Sequence, residues 1–393
     1  MTEAQGAERP VRLVQFVRSF HIGGTEVQVL ELLRGLPSTY DVRVGVLEAA
    51  GPLMGQLSEL GHTPTAFPLN GSLMRVGTAG TIWRTAQWLK AQRADLVHVH
   101  DFYSTLMVVP AAKLAGCKVV VGRLDLAHWH GQLRRAVYAQ ATRAADHVIA
   151  NADAIRSMLI REEHIPGHRI SVIHNGLDIA RFDQRLEEGL SAPLPETGDA
   201  PVLVHVANMS HPVKRQEDLL VALSLLREQG MRLHTFLVGD GPRRPGIVAR
   251  ARALGLSDVV HFLGHRQDVP AIYARAQLGV LCSAAEGLSN AVMEGMAARL
   301  PMVVTRVGGN PDLIEDGRRG RVVEPGQPEQ LAAALGDILS QPQTGRRMGR
   351  AARRFVEHEL SLGRMIARHD ALYRRTLRRS SGREAVRLAP VRV

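Results

Sequence analysis

Residues 286–294 read EGLSNAVME and place two carboxylates, Glu286 and Glu294, on either side of what reads as a helix start. Ser289 or Asn290 can cap that helix, because a short polar side chain accepts from the first unpaired amides. The backbone amides of Leu288, Ser289 and Asn290 would then serve an oxygen anion, which the helix dipole also favours there. Carboxylates accept from vicinal hydroxyls such as those of a ribose or a pyranose. Two of them flanking a phosphate-binding helix start would hold a nucleotide sugar at both of its sugars. The plainer alternative makes Glu294 a partner of the helix dipole and Glu286 a surface charge in a loop. Paired carboxylates also suit glycoside hydrolysis. Glycines and cations at other strand ends favour phosphate instead.

Gly23 and Gly24 follow one apolar run and open a helical pattern. Paired glycines let a backbone approach a ligand closely, and they also make ordinary tight turns. HPVKRQED sets Lys214 and Arg215 between a strand pattern and a helix pattern. Two cations there can neutralise a diphosphate, arginine in bidentate fashion, or can be a solvated helix start. GDGPRRPG has Arg244 where a dinucleotide fingerprint needs its third glycine, so a hydride-transfer cofactor is poorly supported. His98 and His100 fall on one strand face, and His128 and His130 follow in LAHWHG. No cysteine or acidic cluster completes a metal set, so hydrogen-bonding or structural roles are expected for them.

The elements that must position these residues alternate. Strand patterns at 11–17, 41–47, 95–100, 118–121 and 146–150 are separated by helical patterns, and 170–178 ends the first half. The pattern restarts at 201–207 and continues through 232–239, 259–264, 278–282 and 302–305. Such alternation implies parallel sheets covered by helices. Between the halves, LEEGLSAPLPETGDAP lacks periodicity and reads as a linker. In open α/β sheets ligands sit beyond the carboxyl ends of the strands, and nearly all the unusual residues fall in those loops.

Composition narrows the partners. The 393-residue chain is too long for one ordinary core. Its formal net charge of +11 suits an anionic partner or a plain solvated surface. Aromatics are only 4%, too few to interleave with bases, so nucleic acid is not expected. The two cysteines, Cys117 and Cys282, stand far apart and suit a reducing cytoplasm. The first ten residues lack the apolar core of a signal peptide, and no run reaches membrane-span length, so a soluble chain is expected.

Taken together, these stretches resemble the family 4 retaining glycosyltransferases, of GT-B architecture. GGTE (23–26), ISVIHNGLDIARF (170–182), the VKRQEDLLVAL segment, FLVGDGP (236–242) and the long segment 259–314 carry the resemblance over nearly the whole chain. The second half is the more specific: glutamate, seven residues, glutamate, then GMAARLP and VGG. The resemblance implies two doubly wound Rossmann-like domains facing a central cleft. It implies an acceptor-side domain over 1–185, a linker over 186–200 and a donor-side domain over 201–360. A terminal helix at 361–377 would cross back to the first domain, and a basic tail at 378–393 would be disordered.

The resemblance also implies roles. Glu286 would contact the donor sugar, Glu294 the nucleotide ribose and Lys214 the donor diphosphate, with Gly23 and Gly24 near the phosphates. Catalysis would rest on Glu286 and Lys214. Arg215, Leu288, Ser289 and Asn290 would help bind the donor, and no metal or other cofactor would be needed. The chain departs from the family at Asn208, where an arginine is common. It departs again at Leu124, where a histidine commonly precedes the aspartate, here Asp125. Asp125, His128 and His130 are the acceptor-side candidates. The expected activity is transfer of a sugar from a nucleotide-sugar donor to a saccharide or lipid-linked acceptor, with retention, in cell-surface polysaccharide or glycolipid synthesis. A nucleotide-sugar epimerase and a non-catalytic nucleotide-sugar-binding module are the alternatives of the same fold. HGQLRRAVYAQATRAA (130–145) is basic and amphipathic. It would either touch an anionic bilayer at the inner face of the membrane or pack its apolar face on the sheet.

Overall fold

The computed structural model describes residues 9–69, 76–125 and 131–387. Among these residues, short Val-, Ile- and Leu-rich runs form thirteen strands. The first seven are β1 (Val11–Val17), β2 (Tyr40–Val46), β3 (Thr65–Ala66), β4 (Leu96–Val99), β5 (Lys118–Arg123), β6 (His147–Ala150) and β7 (Ile170–Val172). They pair in parallel in the order β3-β2-β1-β4-β5-β6-β7. The remaining six are β8 (Val202–Val206), β9 (His234–Val238), β10 (Val260–Gly264), β11 (Leu278–Leu281), β12 (Met302–Thr305) and β13 (Gly320–Val323). They too are parallel, in the order β10-β9-β8-β11-β12-β13.

Each sheet reverses its winding beside its first strand, between β1 and β4 and between β8 and β11. Such a reversal leaves a crevice at the carboxyl ends of those two strands, where ligands of doubly wound sheets sit. The interior strands are buried on both faces and therefore read as unbroken apolar runs. The sequence patterns did not mark β3 or β13. Both lie at sheet edges, β3 with only two residues and β13 with a half-buried middle, so neither carries an interior strand's signal.

The chain divides into two compact units, one running to Gly176 and resuming at Leu362, the other spanning Leu177–Ser361. The expected boundary at 185 thus falls inside the second unit. The helix Ile179–Glu187 belongs there because Arg353, only 5% exposed, grips its Asp183 with two hydrogen bonds of 2.6 and 2.7 Å. The same guanidinium donates to Ala297 O at 2.9 Å, at the end of the helix that carries Glu294. The segment read as a linker is tied down as well. Ser191 N donates to Asp268 at 2.7 Å, and Arg266 donates to Ala192 O at 2.9 Å.

The terminal helix spans Leu362–Arg387, longer than the 361–377 expected, and continues into the stretch expected to be a disordered tail. Its Met365, Ile366, Leu372 and Tyr373 join Leu13, Leu32, Leu96 and Ile149 in one apolar cluster of the first unit. Within the same unit, Gln28 exchanges hydrogen bonds with both backbone groups of Gly176, locking the loop after β7 to the helix Gly24–Gly35. Among the described residues no helix is long and apolar enough to cross a membrane.

Candidate functional site

At the carboxyl end of β8 the chain passes through the turn Pro212–Lys214, and Arg215 then adopts a left-handed backbone with φ +48°. The turn is held from β11. Ala284 N donates to Val213 O at 2.7 Å, and the Cys282 thiol reaches the carbonyls of Lys214 and Arg215 at 3.4 and 3.2 Å. These contacts set Lys214 Nζ 2.6 Å from Glu286 Oε1. The buried Ser283 hydroxyl donates to the same oxygen at 2.5 Å. Two residues 72 apart in sequence thus meet at the switch point of the second sheet, with side chains only 20% and 10% exposed.

The loop that carries Glu286 is pressed from the other side by the turn after β12. Gly308 has φ +51°, and a Cβ there would lie 1.9 Å from Glu286 O. Gly309 N donates to Gly287 O at 2.7 Å. Glycine is therefore required at 308 both by backbone conformation and by space. Ser289, not Asn290, is the helix cap, its hydroxyl accepting from Val292 N at 3.3 Å. Leu288 is buried, and Asn290 is the first residue of the helix Asn290–Ala297.

Glu294 lies one turn into that helix, where burial raises its carboxyl to about 7, a rise that the charge of Arg185 partly opposes. At neutral pH such a carboxyl is poised between accepting and donating, which suits a pair of hydroxyls. Arg215 has a local partner: Nε and Nη2 both hold Asp218, and that pair raises its own pKa. The guanidinium fork is thereby turned onto its own helix. Asn208 Oδ1 accepts from Ser210 N at 3.3 Å and supplies no charge.

In the first unit, Gly23 caps the helix Gly24–Gly35 with extended backbone. A Cβ on Gly23 would lie 2.3 Å from Glu26 Oε2, so the missing side chain is what lets that carboxylate fold back over the helix start. Burial, and secondarily the charge of Asp101, push Glu26 up to about 7. The anion seat implied by the paired glycines thus already has a carboxyl of the chain beside it. Asp125 follows β5, where its charge acts on Arg123 and Tyr138. Arg123 is completely buried, forked onto Glu163 at 2.6 and 2.7 Å and stacked 4.0 Å over Tyr138. His128 and His130 lie outside the described residues.

His98 and His100 are buried and hydrogen-bonded, to Tyr373 at 2.7 Å and to Gln15 at 2.6 Å. Among the described residues no group of three or more His, Cys, Asp or Glu side chains could hold a metal ion. Residue patterns single out Lys214, Glu286 and Glu294, and take in Gly308 only as part of the VGG stretch. They give no role in the site to Ser283 or Cys282, whose one signal is position, since both follow the carboxyl end of β11.

Comparison with known proteins bears on the family and the fold. The profile described as Glycosyltransferase Family 4 matches residues 22–181, and that described as Glycosyl transferases group 1 matches residues 200–341. The D-inositol 3-phosphate glycosyltransferase of Streptomyces scabiei is 30% identical over 391 residues, covering 88% of this chain and 82% of that protein. The N-acetyl-alpha-D-glucosaminyl L-malate synthase of Bacillus anthracis is 29% identical over 229 residues, 57% of this chain and 59% of that relative, so the match spans less than two thirds of its length. Among solved structures, Anabaena HepE in complex with UDP superposes with a TM-score of 0.80 at 21% identity, over 92% of this chain and 99% of that one. The chain belongs to the family 4 glycosyltransferases, and its two doubly wound units have the GT-B architecture.

Two outcomes follow from the site's geometry. Gly308→Ala must force a Cβ into the Glu286 carbonyl from a left-handed backbone, a strain of about 1–3 kcal/mol. Thermal unfolding should move down by a corresponding amount, and turnover should fall at least about tenfold as the Glu286 loop shifts. Unchanged melting and kinetics would show that the two loops do not depend on each other.

The second outcome concerns pH. Glu26 and Glu294 hold their protons to about 7 in the folded chain, and a carboxyl of the unfolded chain releases its proton near the ordinary value of 4.5. Between those values the native state binds more protons, so stability is highest below about 4.5 from this source and is lost as pH rises through about 7. Urea unfolding across that range should show the decline. Glu26→Gln and Glu294→Gln should each flatten it, and a parallel decline in both variants would assign the effect to other groups.

Proposed function

We propose that the chain is a retaining glycosyltransferase that moves a sugar from a nucleotide-activated donor to an acceptor hydroxyl in the making of a cell-surface polysaccharide or glycolipid. The observation that carries this reading is the Lys214–Glu286 pair at the carboxyl ends of β8 and β11, with Glu294 on the helix that follows. As the bond from the anomeric carbon to the diphosphate breaks, negative charge gathers on the leaving group. Lys214 and the helix start at Ser289 and Asn290 would stabilise that charge, which would then require no metal ion. Glu286 would face the donor sugar and Glu294 the ribose. The HepE complexes with UDP and UDP-glucose make uridine nucleotides the first to test.

Acceptor contacts are assigned to the first unit, with Asp125, His128 and His130 as candidates. A peripheral membrane contact of a cytoplasmic protein is part of the same reading. The helix Gln132–Ala144 carries Arg134, Arg135 and Arg143 and no acidic residue. It turns Tyr138, Ala139 and Thr142 inward, while Leu133 and Val137 are 71% and 48% exposed. An apolar stripe flanked by arginines suits an anionic lipid surface.

Calorimetry with UDP, GDP and ADP tests the donor side. Glu294→Gln should weaken the preferred nucleoside diphosphate. Glu286→Gln should leave that affinity equal or higher, since it frees Lys214, and should lower turnover. Lys214→Ala should slow transfer by about 2.7–4 kcal/mol, the cost typical of one lost transition-state contact. Wild-type turnover in Lys214→Ala, or equal loss of nucleotide affinity in both glutamate variants, would overturn the assignment. Conversion of a nucleotide sugar without transfer to an acceptor would favour the epimerase, and binding without turnover the binding module. Liposome flotation tests the membrane contact: the protein should float with anionic vesicles at low salt and be released at raised salt. The variant pair Leu133→Ser and Val137→Ser should float less, and no flotation of wild type at low salt would rule the contact out.

A further inference from the structure

Lys214 and Ser283 donate to the same oxygen of Glu286, and neither uses the other. This is a poor arrangement for a lysine that only pairs with a carboxylate, and a useful one for a carboxylate that must stay put when its lysine leaves. The ammonium sits on a flexible four-carbon stem and follows charge. A donor diphosphate carries more negative charge than one carboxylate and would draw Lys214 away from Glu286. The Ser283 hydroxyl has no such freedom. Its side chain is short, it is fully buried, and its backbone is fixed from β12, where Thr305 Oγ1 donates to Ser283 O at 2.6 Å. Asn310 Nδ2 in turn donates to Thr305 O at 3.0 Å, and both of those residues are buried.

We propose that Ser283 is a positioning residue, one that keeps the Glu286 carboxylate oriented toward the donor sugar after Lys214 has turned to the diphosphate. The proposal rests on the donor-site reading given above. Both hydrogen bonds converge on Oε1, which leaves Oε2 as the oxygen for a sugar hydroxyl. With Ser283 in place that oxygen keeps its direction in the empty and the loaded site alike. Without it, Glu286 is held by the lysine alone and follows it. The two roles separate: Lys214 binds the diphosphate, and Ser283 preserves the geometry in which binding becomes transfer.

The test uses the full chain and three readouts. Ser283→Ala should lower kcat at least about tenfold, the scale of a lost positioning contact, while donor KM and nucleoside diphosphate affinity stay within about twofold. Ser283→Thr, which restores the hydroxyl, should recover most of kcat. Melting temperatures of both variants separate this from a folding defect, and a Ser283→Ala protein that retains wild-type kcat overturns the proposal. So does an equal fall in nucleotide affinity and kcat, which a merely structural role would produce. The third readout needs no donor. In a crystal structure of Lys214→Ala, Glu286 Oε1 should still accept from Ser283, and a carboxylate that has swung away overturns the proposal. If wild type binds no nucleoside diphosphate, the donor reading fails, and the Lys214→Ala structure still decides whether Ser283 holds Glu286.

Discussion

A lysine and a glutamate 72 residues apart share a hydrogen bond at the point where the second sheet reverses its winding, and most of that unit's loops are arranged around them. The pair is largely shielded from water, so it would be costly to leave either charge without the other. Every neighbour that fixes the two side chains does so through backbone or short polar groups. The thiol of Cys282 holds the lysine turn, the hydroxyl of Ser283 holds the carboxylate, and the turn at Gly308 and Gly309 backs the glutamate loop. Burial pushes the Cys282 thiol up to about 12, which keeps it protonated as a donor and unreactive. Strong charges are thus set by weak but rigid contacts, which is how a site keeps its geometry while its charges find new partners.

The first unit is organised differently. A polar seam crosses its core, from His100 to Gln15, from Gln15 to Tyr373 and from Tyr373 to His98. Burial lowers the pKa values of His98, His100 and His369, so these rings are neutral at ordinary pH. A neutral seam avoids the penalty of buried charge yet still specifies which face of the terminal helix enters the core. That helix returns to the first unit through contacts that only a distant part of the chain can supply, including Tyr40 on Asp370 at 2.6 Å. The sole fully buried cation described in this unit, Arg123, is matched by a two-point bond to Glu163.

What the sequence by itself determined was local. The alternation of apolar runs with helical patterns located most strands of both sheets, because interior parallel strands are buried on both faces and must be apolar throughout. The spacing of Glu286 and Glu294 across a cap was equally legible, since a helix start is set by a few adjacent residues. The edge strands β3 and β13 were not legible, being short or half exposed. Nor was the boundary between the units. The helix Ile179–Glu187 takes its side from Asp183 meeting Arg353, a contact 170 residues long that no local composition announces.

Only the tertiary structure decided which candidates meet. Lys214 and Arg215 are neighbours with the same charge, and by residue type alone either could meet a diphosphate, the family resemblance alone favouring Lys214. A left-handed turn at Arg215 sends one side chain to Glu286 and the other back to Asp218. Gly23 read as a phosphate-approach glycine, and the fold shows that its missing Cβ also makes room for Glu26. Ser283 carried no motif, and it became part of the site because β11 ends beside β8. The physical reason is the same in each case. Periodicity and capping are fixed by residues a few positions apart, whereas the order of parallel strands is fixed by crossover packing, and that order alone brings together loops far apart in the chain.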